Sequence, residues 1–218
     1  MITNRAASVR DLPMPAGASG VLMALYLLLR PYGDSPGVVS SPQVQADAFA
    51  SVWWVAAHCC GALALVMFAW LALRLSDLES RSFAARIGRW SGLSGAVLLL
   101  PYFGAETFAL HVIGTKAAAG RLDLLALVPE IRNQPVAITT FGLGLLLLAV
   151  SGIALALAWA RRTGSWLAWP LGVAAALVLP QFYLPPVGRM IFGVVYLAAA
   201  ALFIWSVPGA RRAAPTAG

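Results

Sequence analysis

The stretch Ser91-Gly-Leu-Ser-Gly-Ala-Val-Leu-Leu-Leu-Pro-Tyr-Phe-Gly-Ala-Glu-Thr-Phe-Ala-Leu-His-Val-Ile-Gly114 decides the fold class. As a helix rising about 1.5 Å per residue it is long enough to cross a hydrocarbon layer about 30 Å thick. Its only Asp, Glu, Lys or Arg is Glu106. A carboxyl group at that depth is costly and by default marks a functional site.

Working outward, five more apolar segments appear: about Pro15 to Leu29, Ala48 to Leu75, Pro135 to Ala160, Ser165 to Leu184 and Val187 to Val207. Hydrophobic residues make up 61% of the 218-residue chain and charged residues 11%, where a soluble domain carries about a quarter charged. Mean hydropathy is +0.82. Spanning backbone must satisfy its own hydrogen bonds, and the alternating strands of a closed barrel are absent from the sequence. The expected fold is therefore all-α: a polytopic integral membrane helix bundle of about six transmembrane helices. Its expected organisation is an N-terminal tail over 1–14, one transmembrane domain over 15–207 and a disordered tail over 208–218. No signal-peptide cleavage site follows Arg5 and Arg10, so the first span is read as retained.

The net charge of +7 sits beside apolar spans rather than in a basic stripe with exposed aromatics, which argues against nucleic acid as a partner. Ten of the fifteen basic residues fall on one side: Arg5, Arg10, Arg74, Arg81, Arg86, Arg89, Arg161, Arg162, Arg211 and Arg212. The other five are Arg30, Lys116, Arg121, Arg132 and Arg189. The excess of positive charge on cytoplasmic loops then places both termini in the cytoplasm, in a multi-pass protein of the cell membrane. Of the outer loops, Tyr32 to Asp47 reads as irregular. Thr115 to Gln134 reads as a short amphipathic helix at the interface.

The intramembrane polar groups gather in the outer half. His58 is expected about 15 Å in from the outer start of its span, Glu106 about 12 Å below the outer boundary and His111 about 5 Å below it. Gln181, Tyr183 and Arg189 flank the outer turn. Pro101 should kink its helix, and Tyr102 and Glu106 share a face. The expected site centres on Glu106, His58 and Tyr102 as catalytic groups. Trp54, Phe103, His111, Gln181, Tyr183 and Arg189 are candidate substrate contacts. His58 is the expected partner of Glu106, with Trp54 covering the pair. Arg189 either snorkels to headgroups or pairs with Glu106. Trp90, Trp166, Trp169 and Trp205 fit an interfacial belt, whereas Trp53 and Trp54 read as deeper. The adjacent Cys59 and Cys60 read as small buried hydrophobes.

Four function classes fit these parts. In the first, a desolvated, protonated Glu106 acts as general acid on a lipid or isoprenoid, in a proton-initiated cyclisation or isomerisation resembling that of terpene cyclases. Aromatic faces would stabilise the developing cation. The second is a proton-coupled carrier of small solutes, disfavoured by the lack of polar groups towards the cytoplasm and of internal repeats. The third is a haem or metal protein. The two histidines lie at different depths for axial ligation, which leaves copper or zinc on His58 with Cys59 or Cys60. The fourth is a non-catalytic assembly or regulatory protein. No cofactor motif is present in the sequence. Membrane lipids are the expected partners, and oligomeric state is not readable.

The blocks Pro101 to Gly114 and Pro180-Gln-Phe-Tyr-Leu-Pro-Pro186 resemble segments of small multi-pass actinobacterial membrane proteins of unassigned function. That resemblance implies that the third and fifth spans hold the site. It implies nothing about substrate.

Overall fold

A computed structural model describes residues 8–35 and 41–212, and no strand occurs among them. The helices are α1 (Pro13–Leu29), α2 (Pro42–Ala50), α3 (Val52–Leu78), α4 (Phe83–Gly104), α5 (Leu110–Ala118), α6 (Leu127–Arg132), α7 (Pro135–Thr163), α8 (Trp169–Ala176) and α9 (Pro186–Arg212). Five helices are long and apolar enough to cross a membrane: Val9–Leu29, Val52–Leu78, Phe83–Ala118, Pro135–Thr163 and Pro186–Pro208. Their outward faces are apolar, as at Val97 and Leu100 of α4, Leu143 and Leu146 of α7, and Ile191 and Val194 of α9. This is what a helical bundle solvated by lipid requires.

Helices α1, α3, α4, α7, the short α8 and α9 form a closed ring in chain order, each packed on its predecessor, with α9 returning to α1. Close approaches fix the directions. A Cβ on Gly20 would fall 2.7 Å from the Ala200 Cβ, and one on Gly193 would fall 3.1 Å from Leu27, so α1 and α9 are antiparallel. Gly95 and Gly144 bring the α4 and α7 backbones together, each lying within 3 Å of where the other's Cβ would sit. Small residues let helices approach closely where lipid offers no hydrophobic drive for association.

The fifth expected span differs. It is a 3-10 turn at Trp166–Ala168, the two-turn α8, and a second 3-10 turn at Pro180–Tyr183. Pro180 has no N–H for the Ala176 carbonyl, and α8 ends at that residue. This segment still runs the length of the bundle. Phe141 near the start of α7 meets Phe182 just before α9, and Trp159 near the end of α7 donates to Ser206 near the end of α9. Helices α7 and α9 are therefore parallel, and the chain between them must return from one end to the other. Against α7 its Gly172 lies on Gly152, where a Cβ on either would meet the other's carbonyl oxygen at 2.5–2.6 Å.

Three boundaries are corrected. Leu12 is fully buried, so the chain joins the bundle before residue 15. Helix α9 continues through Pro208 to Arg212, and residues 213–218 of the expected tail lie outside the described residues. The second apolar segment breaks at Ser51, which ends α2 in an extended conformation and caps α3 by accepting from the Trp53 N–H.

The helix holding Glu106 runs 36 residues, from Phe83 to Ala118, or about 54 Å at the α-helical rise. That exceeds the hydrocarbon thickness, so α5 stands out beyond the ring. The expected irregular loop and interfacial helix fold onto it instead, as α2, a 3-10 turn at Leu122–Ala126, and α6. Phe49, Trp54, Leu110, Ile113 and Val128 form the small core of this cap. Arg30, Lys116, Arg121, Arg132 and Arg189 belong to the cap end. Arg89 pairs with Asp77 and Arg162 with Glu79 at the opposite end, as the two-sided charge sorting anticipates.

Candidate functional site

Helix α1 stops at Leu29 because Pro31 disfavours the helical region for Arg30, which is extended (φ −61°, ψ 129°). The Tyr32 hydroxyl turns back and donates to the Leu27 carbonyl at 2.7 Å, supplying a partner at the helix end. The chain then places Asp34 against Arg30, whose Nη2 donates to both carboxylate oxygens at 2.8 and 3.0 Å. The Arg30 guanidinium also lies 4.9 Å from the Trp54 ring and 5.1 Å from the Tyr32 ring.

On the facing side α4 passes into a π-helical turn at Ala105–Ala109, four residues after Pro101. Such widened turns recur at functional sites. The Trp54 indole donates to the backbone carbonyl of Glu106 inside the turn, at 2.7 Å. The Glu106 carboxylate meets Arg132, at the end of α6, fork on fork. Nε donates to Oε1 at 2.7 Å and Nη2 to Oε2 at 2.9 Å. Arg132 Nη2 also donates to Asp34 at 2.8 Å. Four charged groups, Arg30–Asp34–Arg132–Glu106, thus form one chain that ties α1, α4 and the cap together.

Burial raises the Asp34 carboxyl pKa, but Arg30 and Arg132 outweigh it and hold it below the ordinary aspartate value. For Arg132, burial works against the charge. Glu106 and Asp34 prevail and stabilise the guanidinium further.

These groups line a cavity of about 270 Å³ at the cap end of the ring. Its polar lining is Arg30, Asp34, Ser35, Glu106, Arg132 and Arg189. Its aromatic lining is Tyr26, Tyr102, Phe103, Phe141, Phe182 and Tyr183, with the Arg189 guanidinium 5.7 Å from the Phe182 ring. Tyr102 stacks on Phe141 with centroids 4.2 Å apart. His58 also lines the cavity, edge-on to Tyr26 and against Trp54. Its Nδ1–H donates to the Trp54 carbonyl at 2.7 Å, since a carbonyl can only accept, and Nε2 is left as the basic nitrogen.

Six of the nine expected site residues therefore share one cavity: Glu106, His58, Tyr102, Phe103, Tyr183 and Arg189. Trp54 lies behind it, fully buried. Gln181 is buried without lining it, and its amide has no hydrogen-bond partner among the described residues. His111 is removed from it. Its Nδ1–H donates to the Phe49 carbonyl at 2.8 Å and clasps α5 to α2.

Several expectations are corrected. The partner of Glu106 is Arg132, not His58: both carboxylate oxygens accept from the one guanidinium. Through Arg132, Glu106 is joined to Asp34 and Arg30, just past the end of α1, and its helix continues beyond it to Ala118. Arg189 neither snorkels outward nor pairs with Glu106. It is buried and donates to the Leu184 and Phe182 carbonyls. Trp53 is exposed near the cap-end start of α3, where a belt residue belongs, and Cys59 and Cys60 are only half-buried, as free thiols.

Sequence reading missed Arg30, Asp34 and Arg132 as site residues. The signal was their bracketing of helix ends, Arg30 before Pro31 and Arg132 three residues before the Pro135 that starts α7. The chain was compared with family models, curated proteins and solved structures, and none matches.

Proposed function

We propose that this is an integral membrane protein of the cell envelope that binds a lipid- or isoprenoid-type molecule in the capped cavity. In this reading the chain crosses the cell membrane six times, five times through the long helices and once through the broken α8 segment. The excess of arginine at the end opposite the cavity supports a cytoplasmic location for that end and for both termini. The cap then faces outward.

The observation that carries the reading is the mixed lining of the cavity, six aromatic rings together with a compact set of charges at the cap end of an apolar ring. Concave sites with apolar walls and a few convergent polar groups are the usual form of small-molecule sites. Between the cavity and the ion pairs of the opposite end, the buried polar groups Ser151 and Ser206 hold helices together, Ser151 donating to the Gly88 carbonyl and Ser206 accepting from Trp159. That disfavours a conduction path through the bundle.

The test is native mass spectrometry of the protein released from mild detergent, with its organic extract analysed in parallel. The expected result is a retained apolar adduct that is depleted in a Tyr102→Ala, Phe141→Ala variant. A protein that carries no adduct and takes none up from added lipid extract would overturn the reading.

One observation favours chemistry on that ligand. His58 is fixed through Nδ1 and keeps Nε2 as a base in the cavity wall, beside a carboxylate already committed to Arg132. In that version His58, and not Glu106, exchanges the proton. A product in the extract that is lost on His58→Gln while the adduct persists supports it. Identical extracts from both proteins count against it.

A further inference from the structure

We propose that the ligand of this cavity is a monoanionic amphiphile, with a carboxylate or phosphate-ester head bound by Arg189 and Arg30 and an apolar body on the aromatic wall. This rests on the preceding reading that the cavity takes an apolar molecule, and it adds the charge of the head.

Three guanidiniums, Arg30, Arg132 and Arg189, line the cavity against two carboxylates, Asp34 and Glu106. Both carboxylates are already engaged. Asp34 receives Arg30 and Arg132, and both oxygens of Glu106 receive Arg132. Arg189 is the cation left over. It is 8% exposed, and its hydrogen bonds go to the neutral carbonyls of Leu184 and Phe182. No carboxylate lies within ion-pair distance of it among the described residues. A buried charge without a counter-ion is costly, and the penalty persists until an anion is bound.

A second observation points the same way. Arg30 is 7% exposed, and its Nε and Nη1 have no hydrogen-bond partner among the described residues. The buried hydroxyl of Ser35, another cavity-lining group, has none either. Arg30 thus donates through Nη2 alone, to a carboxylate on one side of its fork. A guanidinium with open donors, a hydroxyl and a second uncompensated guanidinium make a recognition set for a planar carboxylate or a phosphate ester.

The net excess of one positive charge sets the head at one negative charge. The six aromatic rings in the lining set the rest of the molecule as apolar, because a bare inorganic anion would leave most of them without a partner. Tyr183 lines the cavity and is 86% exposed, so the apolar body has a way out at the rim. Two sources carry this chemistry: a free apolar acid and an anionic membrane lipid.

The experiment uses the full chain in non-ionic detergent, with intrinsic tryptophan fluorescence and native mass spectrometry as readouts. Dodecanoate, dodecanol and inorganic phosphate are titrated separately. Binding to nanodiscs of phosphatidylglycerol is compared with binding to nanodiscs of phosphatidylcholine. The expected result is that dodecanoate binds at least tenfold more tightly than dodecanol, that phosphate alone does not bind, and that Arg189→Gln abolishes the difference while Arg189→Lys keeps it. A matching preference for the phosphatidylglycerol discs assigns the source to membrane lipid, and its absence assigns it to a free acid. Equal binding of dodecanoate and dodecanol overturns the anionic head and leaves the apolar-ligand reading standing. Binding of phosphate alone overturns the amphiphile. Binding of none of the probes overturns both readings. The comparison of dodecanoate with dodecanol is made on the unaltered protein, so it decides the matter even if Arg189→Gln fails to fold.

Discussion

Replacing Arg132 by Met should destabilise the protein more than replacing Arg132 and Glu106 together. Arg132 donates three charge-assisted hydrogen bonds, two to Glu106 and one to Asp34. Removing it strands the Glu106 carboxylate, whose side chain is only 12% exposed, whereas Asp34 keeps Arg30. Breaking a buried ion pair on one side costs about 3–5 kcal/mol, and the partial exposure of Arg132 itself puts this case near the low end, at about 3 kcal/mol. Glu106→Leu leaves Arg132 with Asp34 as partner and should cost about 2 kcal/mol. In the double variant no carboxylate is stranded, so the loss should again be about 2 kcal/mol, well short of the sum that independent sites would give. The assay is unfolding by titration with SDS from mild-detergent micelles, followed by tryptophan fluorescence on all four proteins. A coupling below about 0.5 kcal/mol would mean that the fork contributes nothing beyond independent side chains, and the account of the site would be refuted.

Acid should loosen the cap. The Asp34 carboxyl is held below its ordinary value near 3.8, so its contribution is fully present above that value and is lost as pH falls through the lower folded value. Thermal stability measured between about pH 6 and 3 should fall at the acid end, and less in Asp34→Asn than in the unaltered protein. Gly152→Ala should cost about 1–3 kcal/mol, because the new methyl would lie 2.6 Å from the Gly172 carbonyl oxygen and α8 would have to shift; unchanged thermal stability in detergent would contradict the packing described. His111→Ala should cost about 1 kcal/mol by releasing the Phe49 carbonyl, and should raise amide hydrogen exchange in Pro42–Ala50 without changing it in α7.

The membrane-type helices were legible because lipid makes one demand, long apolar runs with internal hydrogen bonds, and the sequence meets it openly. The direction of each span followed from the sorting of arginines to alternate ends. The broken fifth segment was harder to see. Its hydropathy equals that of a span, and only Pro180 marks where the α-helix must stop. The cap was hidden for a related reason. The apolar signal runs from Ser91 to Gly114 without a change at the rim, so nothing local separates residues inside the ring from those beyond it. Its partner was hidden because Arg132 is 26 residues away in a loop whose path depends on α5 standing clear of the ring. His58, Tyr102 and Phe103 could be placed with Glu106 because helical spacing fixes which residues lie at one level. Arg30 and Asp34 could not, since their positions follow from the turn after Pro31.

The closed ring carries a consequence for synthesis. Every neighbouring pair except one is made in immediate succession, so each new helix finds its partner already inserted. The exception is the seam between the first helix and the last. Ser19 of α1 waits for the Tyr196 hydroxyl, 177 residues later, and until then that seam lies open to lipid. The order of translation thus makes the junction of α1 and α9 the last contact of the ring to form.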